Sequence, residues 1–229
     1  TFIVDRVNDY IFYMNYSDDA EKQTELHKKA VSKVLSMANT QSFKKDIVEF
    51  LIAQFVNSQN IEFSDYLVKN YYQKFPTALQ DKDFVSNYNE KTAVGIGRIA
   101  PEITWTQDGK NFQLSTLNEA NYYVLVFWST GCSHCLREIP QLNTFTKDKK
   151  STKVIAFSLE TSDTSWNKMK QTLPGWHHVI GLKKWENPIA RTYQIYSTPT
   201  YIVLNSDKKI IAKPETLEET QKIISYLEK

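Results

Sequence analysis

The sequence predicts an α/β domain over residues 96–229, a central sheet flanked by helices, preceded by an all-α helical domain over residues 1–95. Three observations carry this reading. Up to about residue 90, apolar side chains recur at helical spacing and no glycine interrupts them. Then Val94-Gly95-Ile96-Gly97 brings two of the six glycines in the chain, a change of composition that marks a domain boundary. Beyond it, apolar runs of strand length alternate with amphipathic stretches of helix length, the pattern of a sheet covered by helices on both faces.

In the first half, Val4, Val7, Ile11 and Met14 form one stripe. Leu26, Ala30, Val34 and Met37 form a second, with Asp18 and Asp19 placed to cap its start. Phe43, Ile47, Leu51 and Phe55 make a third. Phe63, Leu67, Tyr71 and Phe75 make a fourth, which Pro76 stops, and a fifth, shorter piece surrounds Phe84 and Tyr88. Short polar links such as Asn57-Ser58-Gln59-Asn60 separate them, as in a small helical bundle. The stripes do not recur closely enough for a solenoid. The many aromatics here read as core or as a protein-facing surface.

In the second half, Asp108-Gly109 predicts a hairpin turn ahead of a buried strand over Tyr122–Trp128 and a helix from Gly131 to about Lys149. Lys153–Leu159 is a second strand, followed by a polar helix with Trp166 and Met169. His178–Leu182 is a short strand, and Asn187 caps a brief helix over Pro188–Tyr193. Thr200–Leu204 and Lys209–Ala212 form a closing hairpin, and Thr216–Lys229 a C-terminal amphipathic helix.

Bulk properties exclude some functions. With 229 residues and 41% hydrophobic composition, the chain can bury a real core. Its net charge of +2 is spread without blocks, so nothing electrostatic favours nucleic acid. No apolar run approaches the roughly 18 residues of a membrane span. Thr1 opens directly into an amphipathic pattern, so the chain reads as a processed form without its signal segment.

The chemistry concentrates in Trp128-Ser129-Thr130-Gly131-Cys132-Ser133-His134-Cys135, which holds the only two cysteines. Strand, small-residue turn, then Cys-x-x-Cys opening a helix is the layout a redox dithiol needs. The unpaired N–H groups and partial positive charge of a helix N-terminus favour a thiolate at Cys132, and the thiolate is the species that attacks a disulfide. The alternatives are an inert pair or part of a metal site. A structural zinc site requires four ligands and there is no second cysteine pair, although His134, His177 or His178 would have to complete any such set. His177-His178 otherwise reads as a surface pair. The absence of other cysteines suits an oxidising compartment. Downstream, Ser197-Thr198-Pro199-Thr200 places a proline just before a strand. A cis Thr198–Pro199 bond would present backbone groups to an extended substrate segment beside the attacking sulfur.

These motifs together resemble the thioredoxin-like fold. More narrowly they resemble the TlpA/ResA-like extracytoplasmic thiol–disulfide oxidoreductases of bacteria, within the AhpC/TSA-Redoxin superfamily. The narrower resemblance rests on Ala100-Pro101-Glu102-Ile103, Asp108-Gly109-Lys110, Leu114-Ser115, Phe127-Trp128 before the motif and Glu138-Ile139-Pro140 after it. The long step from Cys135 to Pro199 adds to it, leaving room for the subfamily's central insert. It covers residues 98–229. The helical extension ahead of it is similar to that of Bacteroidetes members. The resemblance implies a mixed sheet with an N-terminal β-hairpin, Cys132 as nucleophile and Cys135 as the resolving thiol. It also implies Glu138 as a proton-transferring carboxylate, Thr198 and Pro199 as the substrate-binding segment, and Trp128 as support under the turn. It further implies protein thiols or disulfides as substrates, an upstream redox partner, no cofactor beyond the Cys132–Cys135 couple, and a periplasmic or envelope location.

Ser133-His134 departs from the reductive members. A histidine just before the second cysteine resembles the strong oxidants and isomerases, because an imidazole near Cys132 stabilises the thiolate and raises the potential. The peroxidase variant of the fold is disfavoured: Ser129 stands three positions before Cys132, but Leu125 occupies the place of its proline. Two rival functions remain: copper delivery through the two cysteines and a histidine, and a binding module in which the dithiol only regulates.

Overall fold

A computed structural model of the protein describes residues 2–229; Thr1, where the processed-chain reading begins, lies outside the described residues. The chain divides into two compact units, Thr1–Thr92 and Ala93–Lys229.

The first unit is all helical among its described residues: α1 Phe2–Asn8, α2 Ala20–Met37, α3 Gln41–Asn57, α4 Ile61–Asn70 and α5 Lys82–Thr92. Short side chains start three of them. Asp19, Thr40 and Asn60 accept hydrogen bonds from the backbone N–H groups of Lys22, Phe43 and Phe63. The core joins Ile11, Val31, Val48, Leu51 and Leu67 to a ring cluster in which Phe12, His27, Phe55 and Phe63 meet at centroid distances of 4.4 to 5.7 Å.

Three sequence expectations need correction here. The first stripe does not run to Met14. After Asn8 the chain widens into a π-turn over Asp9–Tyr13, closed by Met14 N–H to Asp9 O, and the wider turn swings Met14 out to 73% exposure. On α2 the buried face is His27, Ala30, Val31 and Leu35, with Met37 69% exposed. The face is set by His27, which lies edge-on to Phe12, Phe55 and Phe63, so a count of apolar residues alone misplaces it. Helix α4 ends at Asn70, not at Pro76. A single 3₁₀ turn over Tyr72–Lys74 follows, and it carries Tyr72 into the core, where its hydroxyl takes the Asp81 N–H at 2.7 Å.

The second unit opens with a hairpin of β1 Thr104–Gln107 and β2 Lys110–Gln113. Asp108 and Gly109 adopt φ of 52° and 73°, the pair of positive values a two-residue hairpin turn requires. A five-stranded sheet follows, in the order β5-β4-β3-β6-β7, from β3 Tyr122–Trp128, β4 Thr152–Glu160, β5 His177–Leu182, β6 Thr200–Asn205 and β7 Ile210–Ala212. Strands β3, β4 and β5 are parallel, while β6 runs antiparallel to both β3 and β7. The helices are α6 Ser133–Thr146, α7 Thr164–Lys170, α8 Pro188–Thr192 and α9 Leu217–Leu227.

Alternation along β3 divides the core. Tyr123, Leu125 and Phe127 face a cluster with the hairpin's Trp105 and with Ala190 of α8. Val124, Val126 and Trp128 face Ile139 and Leu142 of α6, Trp166 of α7 and Ile224 of α9. On β5, beside the Phe157 ring of β4, there is room only for glycine: a Cβ on Gly181 would lie 2.2 Å from Phe157 Cε1.

Candidate active site

Strand β3 delivers the site. Its last residue, Trp128, is buried, and Ser129-Thr130-Gly131 turns the chain, with Gly131 N–H donating to Ser129 Oγ at 3.1 Å. Cys132 then caps α6. Its backbone is extended, and its sulfur accepts the Cys135 N–H at 3.2 Å. The Cys132 thiol also donates to the Thr198 carbonyl at 3.2 Å, so the loop before β6 touches the reactive sulfur. The Thr198–Pro199 peptide is cis.

The two sulfurs sit in different environments. Cys132 is half-buried and Cys135 fully buried, and both are free thiols. Burial by itself would raise the proton affinity of Cys132. Hydrogen bonds from the Cys135 thiol, the Thr198 side chain and the backbone N–H groups of Cys135 and His134 outweigh it, and hold Cys132 below the ordinary thiol range. Cys135 moves the other way: burial, then its hydrogen bond to Cys132, push it up to about 12.

The remaining residues singled out from the sequence fall in different places. Trp128 packs in one cluster with Cys135, Ile139 and Tyr201, directly beneath the turn. Glu138, one helical turn beyond Cys135, is half-buried and accepts a hydrogen bond from Tyr201 Oη at 2.9 Å. His134 contributes its backbone N–H to the sulfur, and its side chain is exposed.

His177 and His178 require a correction: they are buried, not a surface pair. His177 Nε2 pairs with Glu119 and its ring stands edge-on to Trp105 and Phe112. His178 Nε2 bonds to Leu173 O at 2.9 Å, and burial lowers its proton affinity. Both are committed on β5, two strands away from β3. Among the described residues no three His, Cys, Asp or Glu side chains come together to hold a metal.

Two site residues escaped the sequence reading. Glu160, 5% exposed at the end of β4, accepts from Thr130 N at 2.7 Å, Thr130 Oγ1 at 2.9 Å and Ser158 Oγ at 2.6 Å. It thereby ties the turn before Cys132 to the neighbouring strand. The other is Tyr201, the hydrogen-bond donor to Glu138. The only available signal was strand register, since a polar residue at each of these positions is unremarkable by itself.

Known proteins are similar to this chain. A family model described as thioredoxin-like matches residues 120–210. The thiol-disulfide oxidoreductase ResA of Bacillus thuringiensis is 26% identical over 145 residues, covering 62% of this chain and 82% of that protein. The crystal structure of a domain of a possible thiol-disulfide isomerase from Cytophaga hutchinsonii is 30% identical with a TM-score of 0.50, and covers 58% of this chain and 92% of that one. A thioredoxin-like protein from Bacteroides caccae covers 98% of this chain and 91% of its own at 18% identity and a TM-score of 0.51, a likeness of fold that extends over the helical unit as well. The second unit thus carries a thioredoxin-like domain, and the chain is similar to proteins named as thiol–disulfide oxidoreductases.

Proposed function

We propose that this protein exchanges disulfides with protein substrates through the Cys132–Cys135 couple. One observation carries the reading: a half-exposed sulfur caps the helix, while its partner is buried directly behind it. In the reductive direction, the Cys132 thiolate attacks one sulfur of a substrate disulfide. A mixed disulfide forms and the other substrate sulfur leaves as a thiolate. Cys135 gives its proton to Glu138 and attacks Cys132 Sγ. The Cys132–Cys135 bond forms, the bond to substrate breaks, and the second substrate thiolate departs. Two electrons have moved from the dithiol to the substrate, and the oxidative direction is the reverse. The sulfurs carry these electrons themselves, so no further cofactor enters, and an upstream redox partner resets the couple.

Thr198 and Pro199 border the attacking sulfur, where an extended substrate segment would run alongside β6. The confinement of both cysteines to the motif supports an extracytoplasmic setting. The names of its relatives, thiol-disulfide oxidoreductases among them, support the reaction class. Replacing Cys132 by Ser tests the reading. Reduction of a protein disulfide, followed by turbidity of insulin under dithiothreitol, should fall to the uncatalysed rate, while Cys135→Ser should accumulate a mixed disulfide visible by mass spectrometry. A Cys132→Ser protein that retained the wild-type rate would end it.

A further inference from the structure

Tyr201 has no part in the exchange as written so far, yet it touches the group that moves the proton. It lies on β6 two residues after Pro199, is 1% exposed, and shares a buried cluster with Cys135 and Trp128. Its hydroxyl donates to Glu138 Oε2 at 2.9 Å. Glu138 is three positions beyond Cys135 on α6, so the two side chains share one helix face. We propose that Tyr201 is the positioning residue that holds Glu138 as the proton acceptor for Cys135 when the mixed disulfide is resolved. The inference rests on the exchange reading above and assigns its proton-transfer step.

The chemistry follows from the bond. The bond engages Oε2 and leaves Oε1 for the Cys135 proton. It also fixes a side chain that would otherwise sample rotamers pointing to solvent, and proton transfer requires reach before it requires basicity. The hydroxyl itself does not titrate in the working range. Burial, then the bond to Glu138, then the charges of Glu138, Cys135 and Cys132 all raise its proton affinity. Those three groups, all on α6 or its cap, are the ionisable ones acting on it. From β3 and α9 the same cluster presents Val126, Trp128, Leu217 and Ile224.

The test isolates resolution from attack. The full chain is converted to a mixed disulfide between Cys132 and 5-thio-2-nitrobenzoate, whose thiolate leaves without needing a proton. The release rate is followed by absorbance from pH 5 to 9. In that step the Cys135 proton passes to Glu138, the Cys132–Cys135 bond forms, and the bond to the aromatic thiolate breaks. Tyr201→Phe should slow release about tenfold near pH 6. Attack of Cys132 on the aromatic disulfide should stay within twofold of wild type. Combining Tyr201→Phe with Glu138→Gln should be no slower than Glu138→Gln alone, because both remove one function. Release at the wild-type rate in Tyr201→Phe overturns the inference. So do multiplying effects in the double variant, or a parallel slowing of both steps together with a lowered unfolding midpoint, which would mark a packing role. A wild-type protein that never forms the mixed disulfide at Cys132 would instead overturn the exchange reading itself.

Discussion

Glu160 offers a quantitative test of how the active-site turn is held. In Glu160→Ala, Thr130 N–H, Thr130 Oγ1–H and Ser158 Oγ–H all lose their acceptor. The two hydroxyls can rotate toward other partners, but the backbone N–H cannot. At about 1–3 kcal/mol for a stranded buried donor, and less where water reaches the half-exposed Thr130, the loss is about 2–4 kcal/mol. Glu160→Gln keeps Oε1 as acceptor for Thr130 N–H and Ser158 Oγ–H, and its amide can donate to a rotated Thr130 hydroxyl. It gives up only the charge assistance, about 1 kcal/mol. Urea unfolding followed by tryptophan fluorescence measures this directly, because all five tryptophans lie in the second unit, at positions 105, 128, 166, 176 and 185. The midpoint should fall in the order wild type, Gln, Ala at an unchanged m-value. The alanine variant should also change the alkylation rate of Cys132, since the loosened turn carries the cap. An alanine variant within about 0.5 kcal/mol of wild type, below the cost of even one stranded donor, would refute the anchoring role.

Three further outcomes follow from the site and the sheet. Cys132 should react with iodoacetamide at pH values below the ordinary thiol pKa of about 8.5, while Cys135, pushed up to about 12, should remain unmodified; equal labelling at pH 7.5, read by peptide mass spectrometry, would contradict the asymmetry. The sign for stability is set by the same shifts. The raised Cys135 stabilises the reduced protein fully below about pH 8.5, and that contribution is lost as pH rises toward about 12, so the wild type should lose more stability than Cys135→Ser between pH 8 and 10. Gly181→Ala should lower the unfolding free energy by about 1–3 kcal/mol, read as a lower urea midpoint, because its Cβ would press 2.2 Å from the buried Phe157 ring; an unchanged midpoint would mean the sheet edge yields freely.

The sequence was legible where one physical signal dominated. An uninterrupted apolar run gave β3 over Tyr122–Trp128, and Asn187 before Pro188 gave the start of α8, with Asn187 Oδ1 accepting from Ile189 N–H. It failed where the decisive partner lay elsewhere in the chain. The face of α2 is chosen by His27 because three aromatic rings from other segments surround it, which helical periodicity cannot see. The histidines of β5 looked like a surface pair because nothing local predicts that the hairpin's Trp105 and Phe112 cover His177. Glu160 and Tyr201 belong to the same class. The β3–β4 register pairs Trp128 with Ser158, so two steps further on Thr130 meets Glu160. The β3–β6 register pairs Val126 with Tyr201, on the face that α6 covers, and there Tyr201 meets Glu138.

The spacing of the two cysteines has a capping explanation that links these observations. A cap side chain accepts the backbone N–H of the third residue of its helix. With Cys132 at the cap, that residue is Cys135, and the bond is present at 3.2 Å. Two intervening residues therefore do two things together. They supply the Cys132 sulfur with a fixed donor that favours its thiolate. They also place the second sulfur one turn into the helix, where the face that meets β3 and β6 is buried. One residue fewer or more would move the second cysteine off the donor position and rotate it by about 100° around the helix, away from the core. The difference in proton affinity between the sulfurs is thus a consequence of spacing and helix geometry. The identities of Ser133 and His134 are left to tune a polarity already set by position.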